Sequence, residues 1–158
     1  MPIPQFVADL RAHIGHRPLW LIGITAVVVR DEQLLFVKRA DNGSWTPVTG
    51  IVDPGEEPAD AAIREVAEET GVTAIPTRLA WVHVTAPMVH VNGDRAQYLD
   101  HLFHMRWIAG EPYPADDENT AAQWFPLAAL PPMSERMHHR IATALDDRID
   151  TRFEWAGR

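Results

Sequence analysis

Hydrophobic and polar positions along this chain repeat in two different periods, and the changes of period mark its elements. Residues Ile3 to Ile14 carry apolar side chains at Phe6, Val7, Leu10 and Ile14, a spacing that predicts a short amphipathic helix. Leu21 to Val29 (LIGITAVVV) is apolar and β-branched, which predicts a buried strand. Asp31-Glu32-Gln33 is a turn, and Leu34 to Arg39 returns as a second strand, so the two predict a hairpin. Ala40 to Ser44 is loop, with Asn42-Gly43 as its turn signal. Further on, Ile75 to Thr85 and Arg95 to Ile108 predict a second hairpin, whose longer loop from Pro87 to Asp94 holds Asn92-Gly93-Asp94. In the later strand Tyr98, Asp100, Leu102 and His104 alternate with Leu99, His101, Phe103 and Met105, giving two faces of mixed polarity, one of them suited to line a pocket. Gly110 to Thr120 is a loop rich in proline and acid. Leu130-Pro131-Pro132 breaks the chain, and Ser134 caps a final helix to about Leu145 with Glu135 in its first turn. Asp146 to Arg158 is charged and expected to fray, with Phe153 and Trp155 as docking candidates.

Between the two hairpins lies the segment that changes the picture, GIVDPGEEPADAAIREVAEETGV from Gly50 to Val72. Pro58 suits a first helical position, and Glu56, Glu57 and Asp60 lie near the positive end of the helix dipole. Ala59, Ala62, Ile63 and Val66 form an apolar stripe, and Gly71 supplies a left-handed stop. Glu65, Glu68 and Glu69 stand at i, i+3 and i+4, so they share one helix face and repel each other. A purely structural helix has little reason to keep such a face, whereas a site for a hard divalent cation needs carboxylate oxygens. Arg64, four residues before Glu68, can pair with it or orient a neighbouring carboxylate.

Composition bounds the options. The 158 residues suit one domain with a real core, and 46% hydrophobic with 23% charged residues is ordinary for a globular chain. The absence of cysteine excludes disulfides and thiolate metal sites and is compatible with a reducing cytoplasm, where we expect the protein. No apolar run approaches the ~20 residues needed to span a membrane, and the N-terminus lacks the basic-then-apolar order of a signal peptide. A net charge of -8 without a basic run argues against binding a nucleic-acid polymer. It leaves room for a polyphosphate substrate if metal ions supply the positive charge. His83, His90, His101 and His104 invite a zinc reading, but none has His-Glu-x-x-His spacing, so polar or half-buried strand positions are the simpler expectation.

The segment resembles the signature of the Nudix hydrolase superfamily, G-x5-E-x7-R-E-U-x-E-E-x-G-U with U aliphatic. Gly50, Glu56, Arg64, Glu65, Val66, Glu68, Glu69, Gly71 and Val72 fill every fixed position. The resemblance implies an α+β fold, an α/β/α sandwich of a mixed sheet between helices with the signature as a loop–helix–loop. It implies a Nudix domain over residues 21–146, an N-terminal helical extension over 1–20 and a tail over 147–158. It also implies Mg²⁺ or Mn²⁺ as cofactor, a nucleotide-derived small molecule as substrate, and cleavage of the diphosphate linkage of a nucleoside diphosphate joined to a group X. A homodimer is a further implication, with the N-terminal helix packing either on the body or on a second subunit.

The same resemblance supplies the expected site. Gly50, through its carbonyl, and Glu65, Glu68 and Glu69 are the expected metal ligands. Arg64, Glu68, Glu69 and Glu118 form the candidate catalytic set, with the general base open between Glu68, Glu69 and Glu118. Glu118 enters because it stands six residues before Trp124 in Trp124-Phe125-Pro126-Leu127, a run that resembles the last strand and turn of many relatives. Glu56 and Arg64 are expected to hold the loop and helix in register. Lys38 and Arg39 are candidates for substrate phosphate, and Trp45 for stacking on a base. Many relatives carry Trp-x-x-Pro-Gly-Gly before the signature; this chain departs from that with Trp45-Thr46-Pro47-Val48-Thr49-Gly50, keeping the final glycine. Pro87, fifteen residues after Val72, matches a position associated with ADP-ribose preference in the family. The rival substrate is an oxidised nucleoside triphosphate, as in nucleotide-pool cleaning. A non-catalytic nucleotide sensor is the reading from another class. Relatives of that kind tend to lose signature glutamates and to add a DNA-binding domain, and this chain keeps every glutamate and has no room for such a domain.

Overall fold

The computed structural model describes residues 3–157, so Met1 and Pro2 of the expected extension and Arg158 of the tail lie outside the described residues. The first hairpin forms only at its turn. β1 (Leu19–Arg30) and β2 (Gln33–Arg39) pair at Val29 with Leu34 and at Arg30 with Gln33. Beyond that the two strands take other partners. β1 runs parallel to β7 (Arg95–Ala109) from Leu19 opposite Ala96 to Val29 opposite Arg106. β2 pairs antiparallel with β8 (Asn119–Pro126). Two short strands read in the sequence only as loop and turn enter here: β3 (Trp45–Thr46) on β2, and β4 (Val48–Ile51) on β1. Pro47 separates them, since it cannot donate to a ladder.

β5 (Thr73–Val84) pairs antiparallel with β7 and forms one end of the strand order β3-β2-β1-β7-β5, and β6 (Met88–Val89) adds to β7. Pro76 is tolerated inside β5 because that strand is an edge, and the ladder is irregular between Pro76 and Arg78. The result is the expected mixed sheet between helices. α2 (Pro58–Thr70) packs Ala61, Ala62 and Val66 on one face, against Ile24, Ala26, Val28 and Val48. α3 (Glu135–Leu145) packs Ile141 and Ala144 on the other, against Val27, Phe36, Trp81 and Leu102. α1 (Gln5–Ile14) seats Val7 on the α3 side against Leu21 and Ala96. Ser134 caps α3 as expected, its Oγ accepting from the Met137 N–H.

The tail docks through different residues from those expected. Arg152 bridges to Trp81 of β5, its N–H donating to the Ala80 carbonyl at 2.9 Å and its guanidinium lying over the Trp81 ring. Phe153 and Trp155 remain exposed. Among the described residues no helix is long and apolar enough to cross a membrane.

Candidate functional site

α2 presents its glutamates to a cavity of 460 Å³. Gly71, at φ 69°, ends the helix in the left-handed conformation that glycine adopts without strain, and its N–H donates to the Ala67 carbonyl. The three glutamates do not all point into the cavity. Residues at i and i+4 stack along a helix, so Glu65 and Glu69 turn inward together, 1% and 4% exposed, and both line the cavity. Glu68 falls to the other side of that row. It lies outside the cavity lining with its side chain 46% exposed, 3.3 Å from Arg64. The shared face expected from the spacing is thus split into an inner pair and a rim carboxylate.

Arg64 is held from several sides. Its Nε and Nη2 donate to the two oxygens of Glu56 at 2.8 Å each, Nη1 donates to Glu65 at 3.0 Å, and Nη2 reaches the Ile51 carbonyl at 3.3 Å. These bonds tie the loop after β4 to the helix and orient Glu65, which makes Arg64 a positioning residue with no place in the cavity lining. Gly50 supplies the matching clearance. A Cβ there would overlap the Glu65 carboxylate, so only glycine lets the β4 backbone approach it.

The electrostatics fit an oxygen-ligated cation. Burial pushes the Glu65 carboxyl up to about 7 in spite of Arg64, and pushes Glu69 up to about 8 in spite of a 2.9 Å hydrogen bond from Asn119. Glu65 and Asp116 raise Glu69 further by repulsion. Two buried carboxylates beside one another that resist ionisation are a donor set suited to a divalent cation. Among the described residues no three His, Asp or Glu side chains close a metal cage by themselves. An ion such as Mg²⁺ takes one or two carboxylates and completes its shell with water and substrate phosphates. The four histidines do not converge either: His83 stacks on Trp81, His90 contacts the Tyr98 hydroxyl, His101 the Gly23 carbonyl and His104 the Thr77 hydroxyl.

Glu118, immediately before β8, lines the same cavity, and its N–H donates to Asp116 Oδ1 at 3.1 Å. Arg39 lines it too. Asp41 grips the Arg39 guanidinium with two hydrogen bonds of 2.9 and 2.8 Å and raises its pKa, with smaller contributions from Glu118 and Glu69. Lys38 and Trp45 are not brought to the site. Lys38 lies half-buried on β2, outside the lining. Trp45 packs edge-on against Phe125 with ring centroids 4.9 Å apart, in the cluster under α3, because β3 turns it away from the cavity. Pro87 lies in the β5–β6 connection and is also absent from the lining.

Of the two faces read on the later strand, the one carrying Tyr98 and Asp100 lines the other half of the cavity, while Gly23 and Arg140 had no place in the sequence reading. Gly23, Tyr98, Asp100 and Arg140 line it from the α3 side. Asp100 is nine-tenths or more buried and accepts from the Thr25 hydroxyl at 3.1 and 3.0 Å. A signal was present in each element: an aspartate on the inward row Ala96, Tyr98, Asp100, Leu102, and an arginine in the apolar stripe Met137, Arg140, Ile141, Ala144.

Comparison with known proteins agrees with this geometry. The MutT-like protein of Streptomyces ambofaciens is 39% identical over 134 residues, covering 84% of this chain and 79% of that protein. The NAD-capped RNA hydrolase NudC of Pseudomonas fluorescens is 30% identical over 131 residues, covering 79% of this chain and 42% of that protein. This chain therefore spans less than half the length of the NudC relatives it matches. The crystal structure of an ADP-ribose pyrophosphatase from Streptococcus suis shares the fold, with a TM-score of 0.66 at 21% identity over 85% of this chain and 98% of that one. The NUDIX domain description matches residues 21–146, from β1 to the end of α3, and with the intact signature on α2 it follows that this chain belongs to the Nudix family.

Proposed function

We propose that the protein is a metal-dependent hydrolase that cleaves the diphosphate linkage of a nucleoside diphosphate joined to a group X, with residues 21–146 as the catalytic domain. One observation carries this reading: Glu65 and Glu69, both buried and both resisting ionisation, share a cavity wall with Gly50. Glu65 and Glu69, with the Gly50 carbonyl beside them and Glu68 at the rim, would hold the divalent cation. When bound, that ion supplies the positive charge that a diphosphate and the oxyanion leaving it require.

The chain's own groups do the rest by position. Arg64 fixes Glu65 while the Glu56 pair keeps the loop closed on the helix. Arg39 places a fixed positive charge in the cavity for a phosphate oxygen, and the Asp41 grip keeps its fork from swinging away. Glu118 stands on the cavity wall as general base, positioned to take the proton of an attacking water. Two loop carboxylates line the cavity outside the inner pair, Asp41 and Glu118, and Asp41 is held by the Arg39 guanidinium.

The test is a panel of ADP-ribose, other nucleotide sugars, NADH, dinucleoside polyphosphates, and normal and oxidised dNTPs, assayed with Mg²⁺ or Mn²⁺ and resolved by product mass. A NAD-capped RNA belongs in the panel because the NudC relatives are named for that substrate. AMP and ribose phosphate from ADP-ribose identify one substrate class. Monophosphate and pyrophosphate from an oxidised dNTP identify the other. Ligand binding without any turnover refutes the hydrolase reading in favour of a sensor.

A further inference from the structure

The sheet face that α2 packs on is not covered along its whole length. Ile24, Ala26 and Val28 of β1 lie buried in the cluster under the helix. Trp20 and Ile22, four and two residues before Ile24 and so on the same face, are 56% and 44% exposed. The ladder carries this opening across the sheet. Ile22 stands opposite Leu99 of β7, and Leu99 opposite Val84, which ends the edge strand β5 and is also exposed.

The tail continues the surface beyond that edge. It is fixed to β5, the Thr151 hydroxyl donating to the Leu79 carbonyl and the Val82 N–H to the Arg152 carbonyl. Arg152 takes the α3 side, where its guanidinium lies over Trp81, and it pairs with Glu154 at 3.0 Å. In an extended segment alternate residues share a side. Phe153 and Trp155 therefore face the other way, toward the side of Val82 and Val84, and their ring centroids lie 5.9 Å apart. Both rings are more than six-tenths exposed. Three ordered bonds to β5 thus hold two aromatic rings in solvent, which stability of the single chain does not require.

We propose that this face, from Trp20 and Ile22 across Val84 to Phe153 and Trp155, is an interface between two copies of the chain. Single exposed apolar side chains are ordinary, but a contiguous patch is not. Charge selects a second copy as the occupant. The chain carries a net charge of -8, so two copies repel wherever their acidic surfaces meet. A two-fold interface sets a patch against itself, and this patch carries no formal charge; its polar positions in the ladder are Gln97 and His101. Area agrees with this. At ~200 Å² for a large side chain, the five exposed residues open on the order of 500 Å². Counted on both copies that is about 1,000 Å², where specific interfaces begin. Three aromatic rings also match the enrichment of interface centres. The contact with a second subunit is thereby assigned to the sheet and tail and not to α1, which seats Val7 on its own body.

The test is sedimentation velocity of the full chain from micromolar to submillimolar concentration, where we expect a dimer. Ile22→Glu places a carboxylate in the middle of each patch and should raise the dimer dissociation constant roughly tenfold or more. Trp155→Ser should act in the same direction without altering the sheet, which keeps the test open if Ile22→Glu does not fold. Leu10→Glu, on the exposed side of α1, should leave the dimer unchanged. A monomer at every concentration overturns the interface, and its sedimentation with phosphatidylcholine vesicles would assign the face to a lipid surface instead. A dimer that survives both patch variants, or that Leu10→Glu dissolves, overturns it as well.

Discussion

Replacing Glu69 by glutamine distinguishes a carboxylate kept for a cation from one kept for structure. Burial is the main cause that lifts the Glu69 carboxyl from 4.5 to about 8; the Asn119 hydrogen bond opposes the rise and the Glu65 charge adds to it. The folded chain therefore holds this proton more tightly than the unfolded chain. The stability that follows is present in full below pH 4.5 and is lost as pH rises through about 8. At about 1.4 kcal/mol per pH unit, that interval is worth roughly 5 kcal/mol, of which we assign about half to Glu69 because it titrates together with the neighbouring Glu65. Glutamine keeps an oxygen for Asn119 and cannot ionise. In chelator at about pH 8 the variant should be more stable than the wild type by ~2 kcal/mol in denaturant unfolding, with the difference vanishing toward pH 4.5. Millimolar Mg²⁺ should stabilise the wild type and leave the variant nearly unchanged, by mass action on the folded state alone. Turnover should fall by orders of magnitude. A variant that is less stable in chelator at about pH 8, or that gains as much from Mg²⁺ as the wild type, refutes the cation-site argument.

Gly50→Ala should reduce turnover and the stabilising effect of Mg²⁺ together, because the new methyl would displace the Glu65 carboxylate; an unchanged Mg²⁺ response in thermal unfolding would count against the close approach. Arg64→Ala should cost about 1–3 kcal/mol in denaturant unfolding, discounted for the partial exposure of the side chain, and Arg64→Lys should recover only part of that because lysine cannot reproduce the forked pair with Glu56. His83, held down to about 4 by burial and then by Arg140 and Arg152, should remain neutral in NMR titration from pH 8 to pH 5. Its contribution to stability should be present above its ordinary value of 6.5 and be lost as pH falls toward about 4.

The segments legible in the sequence are those whose residues carry local instructions. Pro58 and Gly71 bound α2, and Ser134 starts α3, because each acts on its own backbone and needs no distant partner. The signature was legible for a different reason: Glu56, Arg64 and Glu65 contact one another across a single turn and loop, so their spacing already encodes their geometry. Partners far apart in the chain were not legible. Val29 and Leu34 predict a hairpin correctly, yet nothing in Leu21 to Val28 says that this stretch leaves β2 for β7, which arrives some seventy residues later. β3 and β4 escaped because Pro47 and Gly50 read as turn, and what makes Val48 to Ile51 a strand is the open edge of β1 at Gly23 to Ala26. Trp45 illustrates the same limit: next to the signature in sequence it looks like a substrate contact, but pairing with β2 commits it to Phe125.

Asp100 and Arg140 extend this reasoning to the site itself. Each interrupts an otherwise apolar inward row in its own element, which at one position alone would be only an odd residue. Opposite charges in two such rows, on elements that pack together, are a pattern. A buried charge is stable only with a partner, so two misplaced charges of opposite sign are most economically explained by each other. They stop 3.9 Å apart, and the Thr25 hydroxyl joins them, donating to Asp100 at 3.0 Å and accepting from Arg140 Nη1 at 3.3 Å.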